Sequence, residues 1–222
     1  MFYRAILATM LMIGVAACQP TAAADAPVGM THDTTITATT VLTETIPMDA
    51  TTFTVKSATP VDSATAQPPL RLVMPALDLA IPVEPMGWRV SEVEGERQAV
   101  WELPENSAGW HMNSALAGAA GNMIVSGHHQ IGAAVFAPLA RGEVTVGEQI
   151  LVTDAGGKSF LYTVTTVADP IPDLGASAAE VQRAEEFLAP TTEPRLTLMT
   201  GWPEFSDTHY LFIVADFTGT LQ

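Results

Sequence analysis

From Leu70 onward the apolar residues come in short runs cut by Gly and Pro. Val, Ile, Leu, Phe and Thr mix within these runs, which suits strands with one face buried. The pattern predicts strands at 71–74, 81–83, 98–102, 123–126, 149–153, 160–167, 195–200 and 210–217. Eight short strands with turn signals between them point to a barrel or a sandwich. One stretch breaks the pattern. Ser177-Ala178-Ala179-Glu180 has the form of a capping box, and Val181, Ala184, Phe187 and Leu188 then fall on one helical face. Asp169-Pro170-Ile171-Pro172 precedes this helix, and Pro190 and Pro194 follow it. The connection 169–194 is therefore long, and long connections on a strand scaffold tend to carry function.

Before Leu70 the chain reads differently. It opens Met-Phe-Tyr-Arg, and an uncharged apolar run from Ala5 to Ala17 follows. That run is short of the ~20 residues that span a bilayer. With its single basic residue, Arg4, and its small residues at the end, it has the form of a secretory signal. The end, Val15-Ala16-Ala17-Cys18, resembles the bacterial lipobox. This implies a lipoprotein signal peptide at 1–18, lipid on Cys18, and a mature chain held on the outer face of a bacterial membrane. From 19 to 69 the sequence is rich in Thr and Ala, with scattered Pro and Asp. Such a segment offers little apolar surface to offset its ordering entropy. It is expected to be a flexible stalk, with a strand conceivable around Thr34 to Leu42. The domain proper is placed at 70–217, with a short tail at 218–222.

Composition removes several function classes. Of 222 residues, 9 are Lys or Arg and 24 are Asp or Glu, for a formal net charge of −15. So acidic a surface repels phosphate backbones, which excludes nucleic acid as a partner. The single cysteine, Cys18, rules out an internal disulfide and a cysteine-based zinc site.

Several segments of the domain, in order, resemble the sortase family, bacterial cysteine transpeptidases with an eight-stranded barrel. Leu72-Val73-Met74-Pro75-Ala76-Leu77 through Ile81-Pro82-Val83 is similar to the first two family strands. Trp101-Glu102-Leu103-Pro104 and Gly109-Trp110-His111 look like the segment leading to the active site. Gly121-Asn122-Met123-Ile124-Val125-Ser126-Gly127-His128 matches the strand that ends in the family's histidine. Val135-Phe136-Ala137-Pro138-Leu139 and Gly147-Glu148-Gln149-Ile150 follow as in the family, and Leu196-Thr197-Leu198-Met199-Thr200 resembles the strand that ends in the nucleophile. The resemblance implies an all-β barrel of eight strands with one or two short helices in its connections. The single-domain build is closest to the class D, E and F sortases.

Three positions carry the family's chemistry. His128 matches the histidine. The cysteine position falls in Thr200-Gly201-Trp202-Pro203, where this chain has Gly201. The arginine position falls in Thr208-His209-Tyr210-Leu211, where it has Tyr210. Glycine cannot attack a carbonyl. Tyrosine donates one hydrogen bond but carries no positive charge at neutral pH. Losing one such donor typically costs two to three decades in rate, roughly 3–4 kcal/mol. Thr200 and Ser126 are poor substitutes. Thr200 is expected to face away from His128, because neighbouring strand side chains alternate, and nothing in the sequence places Ser126 at an oxyanion site. An engineered removal of the nucleophile explains Gly201 but not Tyr210, since Arg to Tyr needs at least two base changes.

The expected function is therefore a surface-anchored sortase-like protein without transpeptidase activity. It would bind a sorting-signal peptide or a cell-wall component, or partner an active sortase. The connection 169–194 and Trp202 are the expected substrate-binding parts. The alternatives are a transpeptidase or hydrolase with an altered mechanism, and a structural surface module. No cofactor is expected. A metal among His111, His128, His129 and His209 is conceivable chemistry, but family-like positions without metal are the favoured reading. Glu143, Glu148 and Asp154 are expected on a solvated surface.

Overall fold

The computed structural model describes residue 53 and residues 55–93 and 96–221. Cys18 and the expected strand near Thr34 lie outside these. Along the chain come β1 (Val55–Ser57), β2 (Pro69–Met74), β3 (Leu79–Met86), β4 (Trp88–Val93), β5 (Glu96–Trp101), β6 (Ala108–His111) and β7 (Asn122–Ser126). After them come α1 (Ala137–Ala140), β8 (Gln149–Asp154), β9 (Ser159–Val167), β10 (Ile171–Pro172), α2 (Ala178–Leu188), β11 (Arg195–Trp202) and β12 (His209–Leu221).

Eight strands form a closed barrel in the order β12-β11-β7-β6-β3-β2-β8-β9, and β9 pairs back onto β12. Closure leaves the barrel no free edge. β12 makes it possible by its length of 13 residues. Its first half pairs with β11, and Phe217, Gly219 and Thr220 pair with β9. The inward positions alternate as the sequence pattern requires: Leu72 and Met74, Ile81 and Val83, Ile150 and Val152, Leu196 and Leu198, Leu211 and Ile213. With Phe160 and Tyr162 they fill the barrel. The Tyr162 hydroxyl is satisfied there by accepting from the Gly118 N–H at 2.8 Å.

Eight strands were expected and eight close the barrel, but the membership differs in one place. The segment expected at 98–102 lies in β5, which pairs only with β4 in a separate hairpin. The eighth barrel strand is β6, read in sequence as an approach to the site. β3 and β6 run parallel, from Val83 opposite Ala108 to Met86 opposite His111. Parallel neighbours need a crossover, and the β4–β5 hairpin lies within it. β6 shows no alternation because all four of its residues are buried.

Described residues before the expected boundary at Leu70 also pair with the barrel. Val55 pairs with Leu221 and Ser57 with Thr220, Val61 bridges to Ala119, and Ala66 is buried. At the other end β12 runs past Phe217 to Leu221. Asp154, expected on the surface, is buried instead. Its Oδ1 accepts from the N–H groups of Gly156 at 2.9 Å and Lys158 at 2.8 Å, which fixes the β8–β9 turn.

A second buried cluster covers the outer face of β11 and β12. It joins Met199, Tyr210 and Phe212 to Ile171 and Ala184, with Phe187 and Leu188 packed on it. β11 is thus buried on both faces, with every residue from Leu196 to Gly201 buried, Thr197 and Thr200 included. Among the described residues no helix is long and apolar enough to cross a membrane.

Candidate active site

β7 delivers His128. Its last residue, Ser126, lies beside Met199 of β11, and the Gly127 N–H continues the pairing to the Met199 carbonyl at 3.2 Å. Gly127 must lack a side chain, since a Cβ there would stand 2.6 Å from the Phe136 ring. Phe136 is fully buried and its N–H donates to the His128 carbonyl at 2.9 Å, so the turn after β7 is pinned. The His128 ring is left half-buried at the surface. Burial holds its pKa below the usual histidine range. The neighbouring His129 adds to this, while the Leu103 carbonyl and the charges of Asp207 and Glu105 pull the other way without reversing it.

β11 delivers Gly201, and β12 sets Tyr210 directly opposite it. Directly opposed residues share a face. The two positions that depart from the family pattern are therefore side by side, on the outer face that carries Met199. The room a side chain would need at Gly201 is already taken. A Cβ there would run into Asp207 Oδ1 and the His129 ring, whose Nδ1 lies 2.9 Å from that point. His129 is buried, and its Nε2 lies 2.8 Å from the Ser206 carbonyl. Since a carbonyl only accepts, Nε2 is the donor.

Tyr210 is 5% exposed and packs in the second cluster. β10 pairs beside it, with Ile171 opposite Tyr210 and Pro172 opposite His209. This brings Asp173 to the Tyr210 side chain, with which it hydrogen-bonds. Asp173 is 4% exposed, and its Oδ1 is buried with no partner. Burial pushes its carboxyl pKa up, against the Tyr210 hydrogen bond, and the charge of Asp207 adds to the push.

The other candidates are placed as follows. The 169–194 connection runs along β12 at Tyr210 and covers β11 through α2. Trp202 takes the face opposite to Gly201, packs on the main core and meets the His209 ring edge-on at 5.4 Å. Thr200 is buried, and its hydroxyl donates to the Gly127 carbonyl at 2.8 Å. Ser126 lies 2.7 Å from His111 Nε2 in a buried pair, and the Trp101 ring sits 4.5 Å from the imidazole. Burial pulls the His111 pKa down to about 4. Among the described residues no group of three or more His, Cys, Asp or Glu side chains could hold a metal ion. Sequence reasoning missed Asp207 and Glu105, and reached Asp173 only as part of the 169–194 connection. The only local signals were the doubled histidine at 128–129 and the short loop between β11 and β12.

A barrel of this order, with His128 at the end of β7 and positions 201 and 210 facing each other across β11 and β12, has the layout of one enzyme family. The Sortase domain model matches residues 72–217, well over half of the chain. The chain belongs to the sortase family. Among solved structures it is similar to Listeria monocytogenes sortase A, with a TM-score of 0.50 and 20% identity over 70% of this chain and 90% of that one. It is also similar to the Streptococcus agalactiae sortase C1 complex with MTSET, with a TM-score of 0.50 and 19% identity over 69% of this chain and 68% of that one. At these identities the likeness speaks for the fold alone. No curated protein sequence matches the chain.

Proposed function

We propose that this chain is a sortase-fold protein without transpeptidase activity that binds a sorting-type peptide or a cell-wall element in the old catalytic cleft. The observation that carries the reading is the filled space at Gly201. Where the family's thiol would stand, His129 and Asp207 crowd the backbone. An acyl-enzyme needs a nucleophile at that point. His128, with its lowered pKa, is a neutral imidazole at pH 7. Alone it offers general-base help to water, typically worth 10²–10⁴-fold, which is too little for an amide bond. Tyr210, turned to Asp173, supplies no positive charge at a developing oxyanion.

The protein is tethered through lipid on Cys18 to the outer face of a bacterial membrane, and the Thr- and Ala-rich segment after it spaces the domain from the bilayer. Mass spectrometry of the membrane-extracted chain is expected to find an N-terminal lipidated Cys18. An unmodified terminus would remove the anchor.

The functional test uses fluorescent sorting peptides with the full chain and with His128→Ala. Saturable binding without turnover is expected. Turnover abolished by His128→Ala overturns the reading in favour of an altered mechanism. Neither binding nor turnover leaves a structural module. Gly201→Cys with Tyr210→Arg restores the two missing groups, but the new side chain at 201 must first displace Asp207 and His129. Weak recovery at best is expected, and less still from Gly201→Cys alone.

A further inference from the structure

The β4–β5 hairpin stands outside the barrel and leaves an apolar face uncovered. Trp88 lies directly opposite Trp101, and Val90 opposite Ala99, so all four share one face. Trp101 packs on the His111 ring, but Trp88 is 51% exposed and Val90 50%. Met112, next to the hairpin's base, is another exposed apolar side chain, and a Cβ on Gly87 would stand 2.9 Å from its Cε. β4 also keeps a free edge. The Gly87 carbonyl accepts from the Glu102 N–H on the β5 side, while the Met86 carbonyl accepts from the Met112 N–H on the other. Beyond Met112, no strand among the described residues continues the pairing along that side of β4. A hairpin of two strands is marginal alone, and a third strand gives it independent stability.

We propose that residues 34–43 of the same chain, outside the described part, dock as a third strand on this free edge of β4. Ile36 and Leu42 would then lie on the face of Trp88 and Val90. The segment reads Thr-Thr-Ile-Thr-Ala-Thr-Thr-Val-Leu-Thr, between Asp33 and Glu44. It has no charge, Gly or Pro, and all but Ala38 and Leu42 are β-branched, which suits a strand. Its burial desolvates no charge. It also starts from the right end of the barrel. β3, β6 and β12 run the same way, so Leu221, Met112 and the start of β4 lie toward one end, away from the cleft. Residues before Val55 leave past Leu221 at that end. Residues 43–52 then bridge up to roughly 35 Å. The link holds the segment at high effective concentration. A second copy would instead bring another net charge of −15. The docking does not depend on lipid. Where Cys18 is anchored, it shortens the spacer from 19–52 to 19–33, and its greatest reach from roughly 120 Å to roughly 50 Å.

The experiment is hydrogen exchange of the full chain, read by mass spectrometry over 34–43, β4, β8 and β9. Two double variants are compared with the natural chain: Ile36→Glu with Leu42→Glu, and Trp88→Thr with Val90→Thr. In the natural chain, 34–43 and β4 are expected to exchange about tenfold or more slowly than in either variant. Each variant should release both segments together and leave β8 and β9 unchanged. Dilution of the natural chain should change nothing. Exchange of 34–43 at the rate of a free chain overturns the proposal. So does protection of 34–43 that survives Trp88→Thr with Val90→Thr, which would place the segment elsewhere. Protection that fades on dilution would assign the edge to a second copy instead. The first variant lies outside the barrel and hairpin, so it decides the case even if the second unravels the hairpin. β4 exchange left unchanged by Ile36→Glu with Leu42→Glu would also overturn the proposal.

Discussion

Gly201 shows how a missing side chain becomes a structural requirement. Alanine in a strand interior ordinarily improves on glycine, which has more backbone entropy to lose and nothing to pack. Here a Cβ meets Asp207 Oδ1 and the His129 ring, and His129 is itself fixed to Ser206. Gly201→Ala is therefore expected to destabilise by about 1–3 kcal/mol, the usual cost of overpacking. The same change made on top of Asp207→Ala should cost clearly less, because the neighbours are then coupled through one space. Urea denaturation of the four proteins measures both, and a stabilising Gly201→Ala would contradict the picture. His111 gives a second test at the same scale. Unfolded, it takes a proton near pH 6.5; folded, not until about 4. Between those values the unfolded state holds more protons, so stability is complete above about 6.5 and drains away as pH falls to about 4. At about 1.4 kcal/mol per pH unit the loss amounts to roughly 3 kcal/mol. His128 is shifted the same way, so His111→Asn should flatten the acid limb of stability without abolishing it. An unchanged limb would mean that His111 titrates normally. The sequence displayed Gly201, Tyr210 and His128, because a family pattern marks those positions. It did not display Asp207 or Asp173, whose roles come from a loop and a two-residue strand folding back on β12.

At the scale of elements, α2 was legible at its start and hidden at its end. Ser177 and Glu180 satisfy each other's backbone N–H groups, at 2.7 Å from Ser177 N to Glu180 Oε2 and 3.3 Å from Glu180 N to Ser177 Oγ. The two residues stand three apart, so a sequence shows them together. The other end is held by Asn122 of β7, whose Nδ2 donates to the carbonyls of Phe187 at 2.9 Å and Ala189 at 3.1 Å. Its Oδ1 accepts from Thr197 at 2.8 Å. This buried joint links β7, β11 and α2 across distant sequence, where no local pattern reports it. Asn122→Ala should cost about 1–3 kcal/mol, as for other buried partners left unsatisfied, and should speed hydrogen exchange at the end of α2 more than in β8 or β9. Uniform acceleration would show that the barrel, not the joint, had been loosened. The strands follow the same rule. Those with one solvated face, such as β2 and β3, alternate and were found. β6 is covered on both faces and was not. β5 carries the apolar run Ala99-Val100-Trp101 but pairs in a hairpin, since such a run says nothing about the partner.

For the whole molecule, the question is where the folding unit begins. The eight strands that close the barrel start at Pro69, which favours a boundary close to Leu70. Yet β1 covers the far end of β12, Val61 donates its N–H to the Gly118 carbonyl at 2.8 Å, and Ala66 is buried against the fold. A chain starting at Leu70 is therefore expected to unfold cooperatively but less stably than one starting at Phe53, by a few kcal/mol at most. It should also self-associate more, because removing β1 leaves part of β12 unpaired at an edge. The cleft should not notice. Tyr210 stands near the start of β12 and Leu221 at its end, roughly 35 Å apart along a strand rising ~3.3 Å per residue. Binding of the fluorescent sorting peptides should thus agree within about twofold between the two chains, while their urea midpoints differ. Equal midpoints would make β1 a passive passenger. Loss of cooperative unfolding in the shorter chain would make the first pairing part of the barrel's own nucleus, and would move the domain boundary back to Phe53.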